Sequence, residues 1–247
     1  MINESKDYEI LDEIPFWSNG RGFTNKKRNR LYLFDKETND IVSISDKFEN
    51  ISVTSVRDGK ALYISDNYTN KLELTNELYL YDLYSEKATR LVKEDKFSID
   101  FAEFVGDEII FAASPMESHG LNQNPDFYKL NNGKTELLCR HDFGMHNSIS
   151  SDCRYREGID HRAFDNCLYF ISTENKSSFI KKLSLDGKIE KITGDNGSVD
   201  SFDISNEGII FIGLRGTRLQ EVYKFIEKTE KRITKFNEKI IETKNII

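Results

Sequence analysis

Six side chains that could hold a metal fall close together in this chain: Cys139, His141, His146, Cys153, His161 and Cys167. Zinc needs such groups to converge at about 2.0 to 2.3 Å. No Cys-x-x-Cys or His-x-x-x-His spacing supports convergence. Cysteine is often simply buried, and Cys139 and Cys167 fall on predicted strands, so core or surface roles are expected. The carboxylates Asp100, Glu103, Asp200 and Asp203 invite a second chemistry. Glycoside hydrolysis uses two carboxyls about 5 to 10 Å apart. Residues three apart on a strand point to opposite faces, so neither Asp100 with Glu103 nor Asp200 with Asp203 can flank one bond. A glycosidase would need one carboxylate from each of two strands, such as Asp100 with Asp200. A third chemistry needs a serine activated by histidine. No Gly-x-Ser-x-Gly occurs, and Gly197-Ser198 runs on into Val199-Asp200, which forms no nucleophile elbow. Of the four histidines, His119 follows Ser118 beside Gly120 and Asn122, in what reads as a solvated loop tip. Arg21, Lys26, Lys27, Arg28 and Arg30 form the basic cluster, expected as a solvated loop that could meet an acidic partner face. No catalytic, cofactor-binding or metal-ligating residue is assigned, and no cofactor is expected.

The elements that would position these groups follow from a repeat. Leu-Tyr-Leu-Tyr-Asp at Leu78 to Asp82 matches Leu-Tyr-Leu-Phe-Asp at Leu31 to Asp35, with weaker copies starting at Phe127, Ile180 and Val222. Recurrence every 40 residues or roughly 50 means a solenoid, a propeller or an array. One unit shows the pattern in full. Ile51 to Val56 alternates with period two, Asp58-Gly59 turns the chain, and Ala61 to Ser65, Leu78 to Asp82 and Ala88 to Val92 follow as strands. The next unit runs Ile99 to Val105, Glu108 to Ala113, Phe127 to Leu130 and Thr135 to Cys139. Another runs Ser148 to Tyr155, Leu168 to Ser172, Phe179 to Leu185 and Lys188 to Thr193. The last runs Val199 to Ile204, Ile209 to Leu214, Val222 to Ile226 and Lys231 to Thr234. The second strands are nearly continuous apolar runs, expected for strands buried on both faces. Four short strands per unit, with no helical period, predict an all-β fold: a β-propeller of four-stranded blades, about five in residues 1–247, forming a single domain. The first strands, with Asp100, Glu103, Asp200 and Asp203, would line its central channel.

Composition narrows the function. The chain has 247 residues, 38% hydrophobic and 31% charged, with net charge −7. That is a globular balance, and the acidity argues against nucleic acid or an anionic membrane as partner. No apolar run reaches the length of a membrane helix. The opening Met1-Ile-Asn-Glu-Ser-Lys-Asp reads as no signal peptide. Three cysteines suit a reducing compartment, so a cytoplasmic location is expected.

Val56-Arg-Asp-Gly-Lys-Ala-Leu-Tyr-Ile64 and Ile204-Ser-Asn-Glu-Gly-Ile-Ile-Phe211 resemble the Tol-type propeller repeat, also found in the prolyl oligopeptidase family of serine peptidases. Ile14-Pro-Phe-Trp-Ser-Asn-Gly-Arg-Gly-Phe-Thr24, running into Arg30 to Asp35, is similar to the propeller of acylaminoacyl-peptidase-like members. The resemblance covers essentially the whole chain. It implies a propeller, usually seven-bladed, that limits entry to an α/β-hydrolase domain carrying the serine, aspartate and histidine. This sequence departs from the pattern by lacking Gly-x-Ser-x-Gly and by showing fewer blades. The resemblance therefore implies a non-catalytic module, a fragment without the C-terminal hydrolase domain, whose partners are that domain and passing peptide substrates. A stand-alone protein-binding propeller and a five-bladed glycoside hydrolase are the alternatives. Exposed end blades would be costly, so the ends are expected either to close as a ring or to be covered in a homo-oligomer. In the closed form Phe16, Trp17 and Phe23 would fill the seam against the last blade.

Overall fold

The computed structural model describes residues 10–149 and 158–243. It divides into two units, 1–99 and 100–247.

The first unit opens with a hairpin, β1 (Trp17–Ser18) and β2 (Gly22–Phe23), followed by a second, β3 (Tyr32–Phe34) and β4 (Ile41–Ser43). A four-stranded antiparallel meander comes next: β5 (Glu49–Arg57), β6 (Lys60–Asn67), β7 (Glu77–Asp82) and β8 (Lys87–Arg90). Its first turn is local chemistry. Asp58 and Gly59 have φ of +50° and +72°, the paired left-handed geometry that lets a two-residue turn follow the twist of its strands. On one face Ile51, Ala61, Tyr63 and Tyr81 pack with Leu31 and Ile44 from the hairpin side. On the other, Leu62, Ile64 and Leu78 are buried as well. The apolar run of β6 thus behaves as a strand with no wet face.

The second unit repeats the meander. Its first sheet contains β9 (Ser98–Val105), β10 (Glu108–Ser114), β11 (Asp126–Asn131) and β12 (Lys134–Cys139). The next contains β13 (Gly144–Met145), β14 (His161–Phe164), β15 (Cys167–Glu174), β16 (Ser177–Ser184) and β17 (Ile189–Lys191). The last contains β18 (Gly197–Ser205), β19 (Gly208–Arg215), β20 (Glu221–Ile226) and β21 (Thr229–Arg232). Phe101, Ile110, Phe127, Leu168 and Phe170 form one core between sheets, and Tyr169, Ile171, Ile180, Val199, Phe202, Phe211 and Tyr223 form the next. Faces of successive sheets cover one another, which is the packing expected of blades. β19 is the exception among second strands. It alternates, with Ile209 and Phe211 buried and Ile210 exposed.

The structure departs from the expected pattern at two places, and a third expectation lies outside the described residues. The strand expected at Ser148 to Tyr155 falls largely outside the described residues. The first-strand position is filled instead by β13 and β14, which pair with opposite ends of β15. A single strand is thereby interrupted between Met145 and His161. Ile171 faces the break and keeps both its backbone bonds, accepting from His146 N–H at 3.0 Å and donating to the Asp160 carbonyl at 2.8 Å.

The basic stretch from Thr24 to Arg30 is a loop exposed at Lys26, Lys27 and Asn29, but three of its cations are paired and the Arg28 side chain is buried. Lys26 pairs with Asp12 at 2.7 Å, Arg28 forks onto the Glu13 carboxylate at 2.8 and 3.1 Å, and Arg30 binds Ser43 and Ser45. Arg28 and Glu13 are both buried, and Tyr68 stacks 3.7 Å from the guanidinium. Burial would raise the Glu13 carboxyl, but the Arg28 hydrogen bond outweighs it and holds the group below its ordinary range. Together with the backbone bonds of Ile14 to Asn70 and Leu72, this clasp fastens the opening segment to the β6–β7 connection.

Phe16, Trp17 and Phe23, expected inside a seam, stand 45%, 52% and 49% exposed. The tail after β21 forms a short helix, α1 (Glu238–Thr243), moored where Phe236 and Asn237 N–H donate to the buried Glu221 carboxylate.

Candidate functional site: imidazoles and carboxylates on the first strands

The interrupted strand creates the cluster. Where the chain leaves β13 it carries His146 and Asn147; where it re-enters at β14 it carries Asp160, His161 and Arg162. Asp160 spans the break. One carboxylate oxygen binds His146 Nδ1 and the other binds His161 Nδ1 at 2.7 Å. Burial alone would raise the Asp160 carboxyl. The hydrogen bonds and positive potential of both imidazoles outweigh that and keep it ionised below the ordinary carboxylate range. The His161 ring lies parallel on Phe101 with centroids 4.0 Å apart, which fixes its plane.

Neighbouring first strands complete the cluster. Asp100 on β9 reaches solvent yet is crowded by protein, and this burial pushes its carboxyl above the usual range; nearby His146 opposes the shift and Asp160 adds to it. On β18, Asp200 sits at a register shift between Val199 and Ser201, where it accepts from the Asn147 and Gln220 amides. Asp203 takes a different partner, Arg162, at 3.2 Å. The carboxylates three apart on β18 are therefore not a pair. Asp100 and Asp200, from different strands, are drawn toward the consecutive residues His146 and Asn147. Glu103 turns back on its own strand, accepting from Phe104 N–H.

A carboxylate on Nδ1 fixes an imidazole's tautomer and leaves Nε2 as the working nitrogen. His161 is so arranged, at a position 18% exposed. It can exchange a proton or hydrogen-bond a polar ligand, but among the described residues it touches no hydroxyl or thiol nucleophile.

The other sequence candidates lie elsewhere. His141 is buried beneath Phe127, Phe143 and Phe170. Its Nε2 lies 3.2 Å from Ser172 Oγ and 3.3 Å from the Lys181 ammonium, which also pairs with Glu174. An ammonium can only donate, so Nε2 accepts and the proton sits on Nδ1, which has no hydrogen-bond partner among the described residues. Burial, then the Lys181 charge, lowers the His141 pKa to about 4. Ser172 is fully buried, so this Ser–His contact is closed to substrate. Ser198 is an interior residue of β18, also buried. Gly197 before it has φ +132°, and a Cβ there would meet the Leu214 carbonyl at 2.1 Å, so its glycine serves close strand approach. Ser118 and His119 lie in the exposed connection between β10 and β11. Cys139 closes β12, its thiol pushed up to about 11 by burial, and Cys167 opens β15. Cys153 lies outside the described residues. Among the described residues no three His, Cys, Asp or Glu side chains are grouped as metal ligands.

Sequence reasoning missed Asp160, Asn147, Arg162 and Gln220. Asp160 adjoining His161 is the one local signal, and only the strand break brings His146 to it.

Known structures can be set beside this geometry. Pyrococcus horikoshii acylaminoacyl peptidase superposes with a TM-score of 0.70 at 17% identity, over 98% of this chain and 36% of that one. The β-propeller domain of the Trilobed protease from Pyrococcus furiosus, reported with an open velcro topology, superposes with a TM-score of 0.60 at 19% identity, over 87% of this chain and 64% of that one. The fold is a β-propeller. A prolyl endopeptidase matches over 93% of this chain with a TM-score of 0.57 at 10% identity. No family model and no curated protein matches the chain. The chain spans about a third of the length of the acylaminoacyl peptidases it matches, 36% in each case.

Proposed function

We propose that this chain is the non-catalytic propeller module of a serine peptidase of the acylaminoacyl-peptidase or prolyl-oligopeptidase kind, working in the cytoplasm and gating peptide access to an α/β-hydrolase domain. The observation that carries the reading is coverage. Almost the whole chain, 98%, matches a peptidase of which it accounts for 36%. The absence of Gly-x-Ser-x-Gly from these 247 residues fits a module that leaves chemistry to another domain. A rigid ring of sheets over a catalytic pocket selects by size, passing short extended peptides and excluding folded ones. The buried Ser172–His141 contact and the strand-bound Ser198 are consistent with this division of labour. A fluorophosphonate probe, with acyl-peptide and aryl-ester substrates, tests the non-catalytic half: no labelling and no turnover are expected. Labelling of any serine in this chain overturns it. The gating half is tested on the full-length protein, which should cleave short peptides and spare the same sequences held in a folded host.

A glycoside hydrolase is the second reading, favoured by one observation. The Asp100 carboxyl is raised by burial, as a general acid's is, beside the ionised Asp160. Loss of a measurable glycosidase activity in Asp100→Asn, as in Asp200→Asn, would place this reading first.

A further inference from the structure

Two features of the opening segment are not absorbed by that function. The first is aromatic. Trp17 and Phe23 are directly opposed across the β1–β2 hairpin, and with Phe16 beside them all three rings are about half exposed. An aromatic cross-strand pair normally stabilises a sheet by packing, but here the rings face solvent. The second is electrostatic. Lys26, Arg28 and Arg30 are committed to Asp12, Glu13 and the Ser43–Ser45 turn. Arg21 and Lys27 have no ion-pair partner among the described residues. Together with Phe23 and Asn50 they line a cleft of about 230 Å³. The Arg28–Glu13 clasp and the Ile14 backbone bonds hold this surface to the sheet behind it, so its parts are pre-positioned.

We propose that this face, centred on Trp17, Phe23, Arg21 and Lys27, docks an acidic segment of a partner protein, with an apolar residue among its carboxylates. Charge complementarity chooses the occupant. The chain carries a net charge of −7, so an acidic segment is repelled by most of its surface and attracted where two unpaired cations sit together. Aromatic and arginine side chains are the groups that most often anchor protein interfaces, and both kinds are present. The cleft has room for a single side chain. The guanidinium and ammonium of the lining residues would take the carboxylates, while the exposed rings would cover the apolar residue. This surface lies wholly in the first unit and is independent of the peptidase reading.

The protein supplies its own probe, since Trp17 is its single tryptophan. The intact chain is titrated with an end-blocked peptide alternating glutamate and leucine, and with its lysine–leucine counterpart. A saturable change in Trp17 emission is expected with the acidic peptide alone, weakening as salt is raised. In Arg21→Glu/Lys27→Glu the affinity should fall at least about tenfold, and in Phe23→Ala also. Arg21→Gln/Lys27→Gln provides a milder pair, and all of these sites are at the surface. No emission change up to about 1 mM peptide overturns the proposal, that being the weakest useful affinity. Equal binding of the lysine peptide, or unchanged affinity in the charge variants, overturns it equally.

Discussion

Acidifying this protein should destabilise it through His141 at pH values where carboxylates of ordinary pKa are still ionised. The imidazole is walled in by Phe127, Phe143 and Phe170 and faces the Lys181 ammonium at 3.3 Å. Burial disfavours the charged imidazole, and protonation would also set a second positive charge against Lys181, so its pKa is lowered from 6.5 to about 4. In the unfolded chain the group returns to its ordinary value. Between those two pH values the unfolded state binds a proton that the folded state refuses, so stability is present above about pH 6.5 and is lost as pH falls toward 4. Each pKa unit is about 1.4 kcal/mol, so the full span amounts to about 3 kcal/mol, of which about 2 kcal/mol disappears between pH 7 and 5. That is a large share of the 5 to 15 kcal/mol typical of a domain. Urea unfolding at a series of pH values measures it, with His141→Gln as the reference, because glutamine retains an acceptor for Lys181 and does not titrate. The difference between wild type and variant should shrink as pH falls, with the wild type losing about 2 kcal/mol relative to the variant. A pH-independent difference, or a wild type that gains on the variant in acid, refutes the reasoning.

The Arg28–Glu13 pair should behave as a partly buried clasp: Arg28→Ala removes both hydrogen bonds to the ionised Glu13 and should cost about 1 to 3 kcal/mol, read as a lower urea midpoint. Replacing both partners, Arg28→Met with Glu13→Leu, should recover most of that loss, and a single variant as stable as wild type would show the pair to be idle. Asp160→Ala removes the acceptor that joins the two ends of the interrupted strand and should cost about 1 to 3 kcal/mol. The His146 and His161 imidazole resonances should move together in that variant, and unchanged resonances would mean that the bridge does not form.

The strands themselves were legible in the residues because their causes are local. Period-two alternation in Ile51 to Val56, apolar second strands such as Ile110 to Ala113, and turns such as Asp58-Gly59 depend on neighbours within a few positions. Each of these elements appears where its pattern stands, within about two residues at its ends. The repeat then implied blades, because a four-stranded sheet with two apolar faces must be covered on both sides. The strand expected at Ser148 to Tyr155 falls largely outside the described residues; the partners of β15 are β13 and β14, and their split around Asp160 is not written in a local pattern.

What only the tertiary structure decided is the partnership of charges. The basic run from Lys26 to Arg30 reads as solvated because its acidic partners, Asp12 and Glu13, lie on the far side of a hairpin. Asp160 becomes the centre of a cluster because the strand break returns it to His146, and Asp200 joins because β18 runs beside β14. His141, in sequence a lone imidazole after Cys139, is set against Lys181 and Ser172 by the pairing of β15 with β16. Backbone pattern is written in short-range chemistry, so a single chain shows it. A carboxylate's partner is chosen by which distant segment the fold lays beside it, and the residues alone record only that the charge is there.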